Sequence, residues 1–195
     1  YISKGLAMRD RLRGDPLLSF CMAPHAPYTV SDATLERVVT LAAQLDLPIH
    51  IHIHETSAEI EESLQLHGLR PLERLHRLGV LGPGLIGVHA AHLEEGEIRL
   101  LAKYDCSIAH CPSSNMKLAS GIAPIVAMLE HGLRIGLGTD GAASNNRLDI
   151  FQEMRHAALL AKAVSGNAAA VGAHNVLRMA TLNGAAALGL AAKIG

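Results

Sequence analysis

Histidine and carboxylate residues cluster at the ends of apolar runs in this chain, and that is where a reading for chemistry begins. The densest group is His50-Ile51-His52-Ile53-His54-Glu55. On a β-strand, residues two apart share a face, so the three imidazoles are expected on one side and the isoleucines on the other. Stacked imidazoles on an inward face are costly to bury without a partner, and a metal ion is a natural one. The alternative is a set of hydrogen-bonded core histidines. Gly138-Thr139-Asp140-Gly141 sets a carboxylate just beyond the apolar run Leu133–Leu137. There Asp140 could ligate a metal and accept a proton from its water, or be an ordinary turn aspartate beside glycine. In Val88-His89-Ala90-Ala91-His92, His89 closes a strand and His92 lies in the loop after it.

Two further segments carry polar groups in rigid settings. In Ala109-His110-Cys111-Pro112-Ser113-Ser114-Asn115, a proline and three small polar residues follow a strand. That suits substrate recognition or an ordinary turn equally. In Pro24-His25-Ala26-Pro27-Tyr28 two prolines fix the backbone around His25 and would aim its ring, though a structural loop fits as well. A Cys111–His110 nucleophile pair is disfavoured, because adjacent strand residues point to opposite faces.

The elements that must position these residues follow a strand-then-helix alternation. Strands are expected at Leu17–Ala23, Pro48–His54, Leu85–His89, Cys106–His110 and Leu133–Thr139. Helices are expected from the opening Tyr1 pattern, at Ser31–Asp46 with Ser31 as N-cap, and at Glu59–His67 and Pro71–Leu78. Others are expected at Glu94–Tyr104, Ile122–His131 and Asp149–Val164, with two short ones across Ala173–Leu190. Continuous apolar strands separated by helices imply parallel strands covered by helices. No GxGxxG follows the first strand, so the dinucleotide reading lacks support. Polar residues at the end of nearly every strand match how a (β/α)8 barrel builds its site. The fold expected is α/β, a partial TIM-type barrel holding roughly strands 4–8 with their helices. Five strands fall short of eight, and the chain opens on Tyr1 inside a helical pattern. Residues 1–195 therefore read as a single incomplete domain of a longer protein.

Composition bounds the partners. A formal net charge of −1 gives no electrostatic reason for nucleic acid or an acidic membrane as partner. No apolar run approaches the roughly 20 residues a membrane helix needs, and no leader pattern is visible. Three cysteines without a CxxC pair read as reduced thiols, which suits the cytoplasm. With aromatic residues at only 3%, the core must be built from Leu, Ile, Val, Ala and Met.

Taken together, Ala-Pro-His-Ala-Pro-Tyr-Thr-Val-Ser, His-Ile-His-Glu-Thr, Val-His-Ala-Ala-His-Leu, Ala-His-Cys-Pro-Ser-Ser-Asn-Met-Lys-Leu-Ala-Ser-Gly and Gly-Leu-Gly-Thr-Asp-Gly-Ala-Ala-Ser-Asn-Asn resemble the amidohydrolase superfamily. The branch resembled is the one holding S-adenosylhomocysteine and 5-methylthioadenosine deaminases, and the motifs span nearly the whole chain in that family's order. The resemblance implies that His52 and Asp140 ligate one divalent metal, zinc by first choice with iron also fitting. It implies that Glu55 protonates a ring nitrogen of the substrate, that His89 orients the attacking hydroxide, and that Asp140 also shuttles the proton. His25 matches a substrate-contacting histidine; His50, His54, His92 and His110 are not carried over as ligands. The implied reaction converts an adenine-type nucleoside to its inosine-type product and ammonia, with a small-molecule nucleoside as partner and homo-oligomerisation allowed. Guanine deaminases and triazine chlorohydrolases share several motifs and stand as alternatives, as does a catalytically incompetent barrel fragment. The family's first-strand His-x-His is not matched, so two of its four metal-binding side chains are present.

Overall fold

A computed structural model describes residues 2–194. Among them four short parallel strands form one sheet in the order β1-β2-β3-β4. They are β1 (Ile49–Ile53), β2 (Leu85–His89), β3 (Ser107–His110) and β4 (Arg134–Leu137). The helices are α1 (Ile2–Leu12), α2 (Asp32–Leu45), α3 (Ser57–His67), α4 (Pro71–Arg77), α5 (Glu95–Lys103), α6 (Pro112–Lys117), α7 (Ile125–Glu130), α8 (Ala142–Asn145), α9 (Ile150–Ser165), α10 (Ala173–Ala180) and α11 (Leu182–Ala187). The helix expected from Tyr1 is observed from Ile2; Tyr1 itself lies outside the described residues.

Register sorts the side chains onto two faces. Ile51, Gly87, Ile108 and Ile135 stand in one row across the sheet, and all three isoleucines are buried in the main core. The helices cover this face with Leu35 and Val38 of α2, Leu72 and Leu75 of α4, Ile98 and Leu101 of α5, Met128 of α7 and Met179 of α10. Each fully buried Leu or Ile contributes about 1.5–3 kcal/mol of transfer free energy. Gly87 is small for a packing reason, since a Cβ there would meet Ile53 Cδ1 at 2.4 Å. The opposite row is His52, Val88, Ala109 and Gly136, of which only His52 is polar; the other polar groups of the site come from the strand ends and the segments beyond them.

Local chemistry sets where the helices start and stop. The Thr56 hydroxyl accepts the Glu59 N–H at the start of α3. A reciprocal capping box of Glu94 and Glu97 opens α5. The Asp149 carboxylate accepts from Phe151 and Gln152 to open α9, and prolines open α4 and α6.

Three expectations are corrected. Leu17–Ala23 is not a strand, and only Met22 bridges to Ile49. Met22 donates to Pro48 O and accepts from His50 N, each at 2.9 Å. The next rung needs an N–H from position 24, which is proline; His52 N instead donates to His25 O at 3.1 Å. Pro-Ser-Ser-Asn, expected as a recognition segment or turn, opens the short helix α6, and Ala142–Asn145, where no element was expected, forms α8. His54 does not share a face with His50 and His52. Its φ of 49° is left-handed, which ends the strand's alternation and buries the ring.

Candidate active site

The C-terminal ends of β1, β2, β3 and β4 surround a cavity of about 400 Å³ whose lining includes His25, His50, His52, Cys111 and Asp140. His52 reaches it from the polar face of β1. Its Nδ1 lies 2.6 Å from the carbonyl oxygen of His25. A carbonyl can only accept, so Nδ1 carries the proton and Nε2 keeps a free lone pair. A hydrogen bond from the far ring nitrogen to a carbonyl fixes the tautomer and the ring orientation that a histidine needs to ligate a metal. The His25 and His52 rings sit 5.1 Å apart, and His25 Nδ1 is 2.8 Å from Thr29 Oγ1.

His89 arrives by a backbone device. Alternation along β2 would send it to the helix-covered face with Leu85 and Gly87. Its φ of 69° is left-handed, and its ring stacks on His52 with centroids 5.3 Å apart. His89 Nδ1 donates to Asn115 Oδ1 at 2.8 Å. Its Nε2 faces Glu55 Oε2 at 3.8 Å. Glu55, two residues beyond β1, is held from both sides. Its backbone N–H donates to Glu59 Oε2 at 2.9 Å, and Glu59 Oε1 accepts from His54 N at 3.1 Å. Ser120 Oγ reaches Glu55 Oε1 at 3.4 Å, and the Ser120 carbonyl is bonded by His92 Nε2. Burial pushes Glu59 up to about 6 against the pull of those two backbone donors.

Asp140, also left-handed with φ 59°, is the most heavily hydrogen-bonded group of the site. Ser114 Oγ and Ser144 Oγ donate to its Oδ2 at 2.7 and 2.6 Å, and Gly141 N to its Oδ1 at 2.8 Å. Burial works to raise its pKa. The Ser144 and Ser114 hydroxyls, the Gly141 amide and nearby His89 outweigh that and hold it below the ordinary value. The group is thus an anion, suited to a cation or to taking a proton during reaction.

His54 and His110 have other roles. His54 Nε2 accepts the Leu72 N–H at 3.0 Å, and its Nδ1 faces the Arg70–Glu97 ion pair and the His92 carbonyl. Burial is the main reason it is pushed down to about 4. His110 is buried and pushed down to about 3, by burial and then by His89. Its Nδ1 has no partner among the described residues. The Cys111 thiol is pushed up to about 12, chiefly by burial, so it is no thiolate nucleophile.

His25, His52 and Asp140 thus line one cavity; His89 stacks on His52, and Glu55 faces His89. Among the described residues, no group of three or more His, Cys, Asp or Glu side chains is close enough together to hold a metal ion. Ser114 and Asn115, in the polar segment singled out for substrate recognition, touch Asp140 and His89; sequence reasoning missed Ser144 and Ser120, which also touch these groups, and Glu59, which supports them. Pro112 at a helix N1 position was a usable signal for α6, which presents Ser114 and Asn115. Nothing in the sequence separated Glu59 from any other first-turn acid.

The chain is 50% identical over its whole length to a 5-methylthioadenosine/S-adenosylhomocysteine deaminase of Teredinibacter turnerae, of which it covers 44%. It is 48% identical over 90% of its length to a 5'-deoxyadenosine deaminase of Methanothermobacter thermautotrophicus, of which it covers 41%. It therefore spans less than half the length of these relatives. Among solved structures, an adenosine deaminase from Xanthomonas campestris with bound zinc superposes with a TM-score of 0.98 at 51% identity, covering 100% of this chain and 44% of that one. An atrazine chlorohydrolase mutant from Arthrobacter aurescens, complexed with zinc and atraton, gives a TM-score of 0.91 at 26% identity over 96% of this chain and 42% of its own. The profile of the Amidohydrolase family matches residues 7–195. On that match, and on the motifs gathered at the strand ends, this chain belongs to the Amidohydrolase family.

Proposed function

We propose that this chain forms part of a (β/α)8 barrel, residues 1–195 making a single incomplete domain. In the full-length protein that barrel deaminates an adenine-type nucleoside, S-adenosylhomocysteine or 5-methylthioadenosine, by hydrolysis. The observation that carries the reading is the shared wall of His52 and Asp140 in one cavity. There the tied Nδ1 of His52 leaves Nε2 free, and the same cavity is lined by a carboxylate held as an anion. An imidazole and a carboxylate suit a divalent ion, zinc by first choice and iron second. A catalytic zinc site takes about three protein ligands, so the proposal requires others from outside the described residues.

The ion would hold water with its pKa lowered toward neutrality. The rest falls to this chain's own groups. Asp140 accepts a proton as the water oxygen attacks the ring carbon bearing the amine. Glu55 donates a proton to the neighbouring ring nitrogen, so that little charge accumulates on the ring. His89, fixed through Nδ1 by Asn115, holds the attacking oxygen. His25, aimed by Pro24 and Pro27, contacts the substrate. Proton return to the amine releases ammonia. Glu55 must be protonated when substrate is bound.

The relatives near 50% identity carry nucleoside-deaminase names, while the triazine-directed structure stands at 26%. That ordering favours the nucleoside over a triazine or guanine substrate. The test is ammonia release by the full-length protein from S-adenosylhomocysteine, 5-methylthioadenosine, adenosine, guanine and a chlorotriazine. Turnover confined to the adenine nucleosides is expected. Preferred turnover of guanine or the triazine would move the assignment to those hydrolases, and none at all would leave a catalytically incompetent barrel.

A further inference from the structure

Glu153, in the first turn of α9, is completely buried. A buried carboxylate is costly unless its hydrogen-bonding capacity is met. Both its oxygens are used, and each goes to a different loop of the site. Oε2 accepts the backbone N–H of Ser113 at 3.0 Å, and Oε1 accepts Asn145 Nδ2 at 2.9 Å. The same Asn145 Nδ2 donates to the carbonyl of Thr139 at 2.6 Å. Both partners of this amide nitrogen are acceptors, so its orientation is chemically fixed. Asn145 Oδ1 is buried with no partner among the described residues.

The consequence lies at Asp140. Ser113 precedes Ser114, Thr139 precedes Asp140, and Asn145 follows Ser144. The residues fixed by Glu153, directly at Ser113 and Asn145 and through Asn145 at Thr139, are therefore each adjacent to a member of the Asp140 cluster: the carboxylate itself and its two hydroxyl donors. His156, one turn along α9, adds a bond from Nδ1 to Ser113 Oγ at 2.8 Å.

We propose that Glu153 is a positioning residue for Asp140, joining the loops after β3 and β4 so that Ser114, Ser144 and the left-handed backbone at 140 converge on one carboxylate. The inference rests on the reading of Asp140 as a metal ligand. A glutamine at 153 must turn an N–H toward either the Ser113 amide or Asn145 Nδ2, donor against donor. The loop on that side then shifts, and with it one hydroxyl on Asp140.

The test measures zinc affinity by chelator competition in the full-length protein, alongside kcat, KM and melting temperature. Glu153→Gln is expected to weaken zinc binding about 10–100-fold and to lower kcat similarly, with KM changed by less than about threefold. Asn145→Ala removes the link to Thr139 and the donor to Glu153 Oε1 while keeping the Glu153 carboxylate and its bond to Ser113, and is expected to do the same. It carries the test if Glu153→Gln does not fold. Ala157→Gly, on α9 outside this network, is the control for general destabilisation and is expected to lower the melting temperature while leaving zinc affinity intact. The proposal is overturned if a folded Glu153→Gln or Asn145→Ala protein binds zinc as tightly as wild type while Asp140→Asn does not. It is equally overturned if Ala157→Gly, at a matched fall in melting temperature, loses as much affinity. If Asp140→Asn itself leaves binding unchanged, the metal reading of Asp140 fails first and this inference goes with it.

Discussion

Three titratable residues at or just beyond strand ends, His54, His89 and Asp140, hold left-handed backbones. Such conformations cost on the order of 1 kcal/mol or more outside glycine and persist where surrounding bonds over-determine them. Each is so determined: His54 by Leu72 and Glu59, His89 by Asn115, and Asp140 by two serines and Gly141. The effect is to turn side chains off the pleat, with the His89 ring brought onto His52 and the His54 ring taken away from it. Glu55 follows His54 directly and, in the proposed mechanism, takes no part in holding the metal. Glu55→Gln is accordingly expected to lower kcat of the full-length protein about 10²–10⁴-fold with bound metal unchanged. Activity within a few-fold of wild type would remove Glu55 as the acid. His25, His52, His89 and Asp140 were legible in the sequence because each is a polar residue closing or following an apolar run. Ser120, Glu59 and Glu153 were not, because their roles exist only once loops distant in sequence meet. In sequence, Glu59 and Glu153 look like acids complementing a helix dipole.

Among the elements, those with a strong local pattern were readable. The alternating Ile and His of β1, the apolar β2, the capped α5 and α9, and α2 stand close to where periodicity put them, although Ser31 at the N-cap position of α2 bonds Thr34 Oγ1 and caps no backbone N–H. The misreadings have local causes. Leu17–Ala23 is apolar enough for a strand, but Pro24 withholds the rung that would extend it, and Leu17 is 91% exposed. The loop after α6 illustrates a different constraint. Gly121 has φ 139°, and a Cβ there would meet His92 Nε2 at 2.5 Å. Gly121→Ala is thus expected to destabilise the fold by about 1–3 kcal/mol and to displace Ser120 from Glu55. Denaturant titration with a kcat measurement checks both, and a neutral effect on each would contradict the account.

The buried histidines give the fold a pH dependence of definite sign. His110 in β3 and His54 just after β1 have folded pKa values near 3 and 4, below the ordinary 6.5. On acidification the unfolded chain takes up their protons first. Their stabilisation is therefore fully present above about pH 6.5 and is lost as pH falls toward 4 and 3. Glu59, raised to about 6, acts oppositely: its stabilisation is present below its ordinary 4.5 and lost as pH rises through about 6. At about 1.4 kcal/mol per unit the two larger histidine shifts outweigh it, so acid destabilises. Melting temperature measured from pH 7.5 to 4.5 is expected to fall less steeply in His110→Leu than in wild type. Parallel slopes would show that His110 is not held neutral.

For the molecule as a whole, the sheet has β1 and β4 at its two edges. Among the described residues the β1 edge is met by one bridge, from Met22, and by the His52 N–H bond to the His25 carbonyl, while Asn183 Nδ2 of α11 donates to the Ile135 carbonyl of β4 at 3.0 Å. Leu17, Leu148 and Phe151 stand largely exposed. Unpaired edges and exposed apolar groups favour association. The 195-residue chain on its own is therefore expected to elute as self-associated species in size-exclusion chromatography with light scattering. A monodisperse, cooperatively melting monomer would contradict this. No helix among the described residues is long and apolar enough to cross a membrane.

The central claim is that His52 and Asp140 grip one ion, and anomalous diffraction at the zinc edge from crystals of the full-length protein tests it most directly. The account predicts a single strong peak about 2.0–2.2 Å from both His52 Nε2 and an Asp140 carboxylate oxygen. A peak bound elsewhere, or one touching only one of the two, would contradict it.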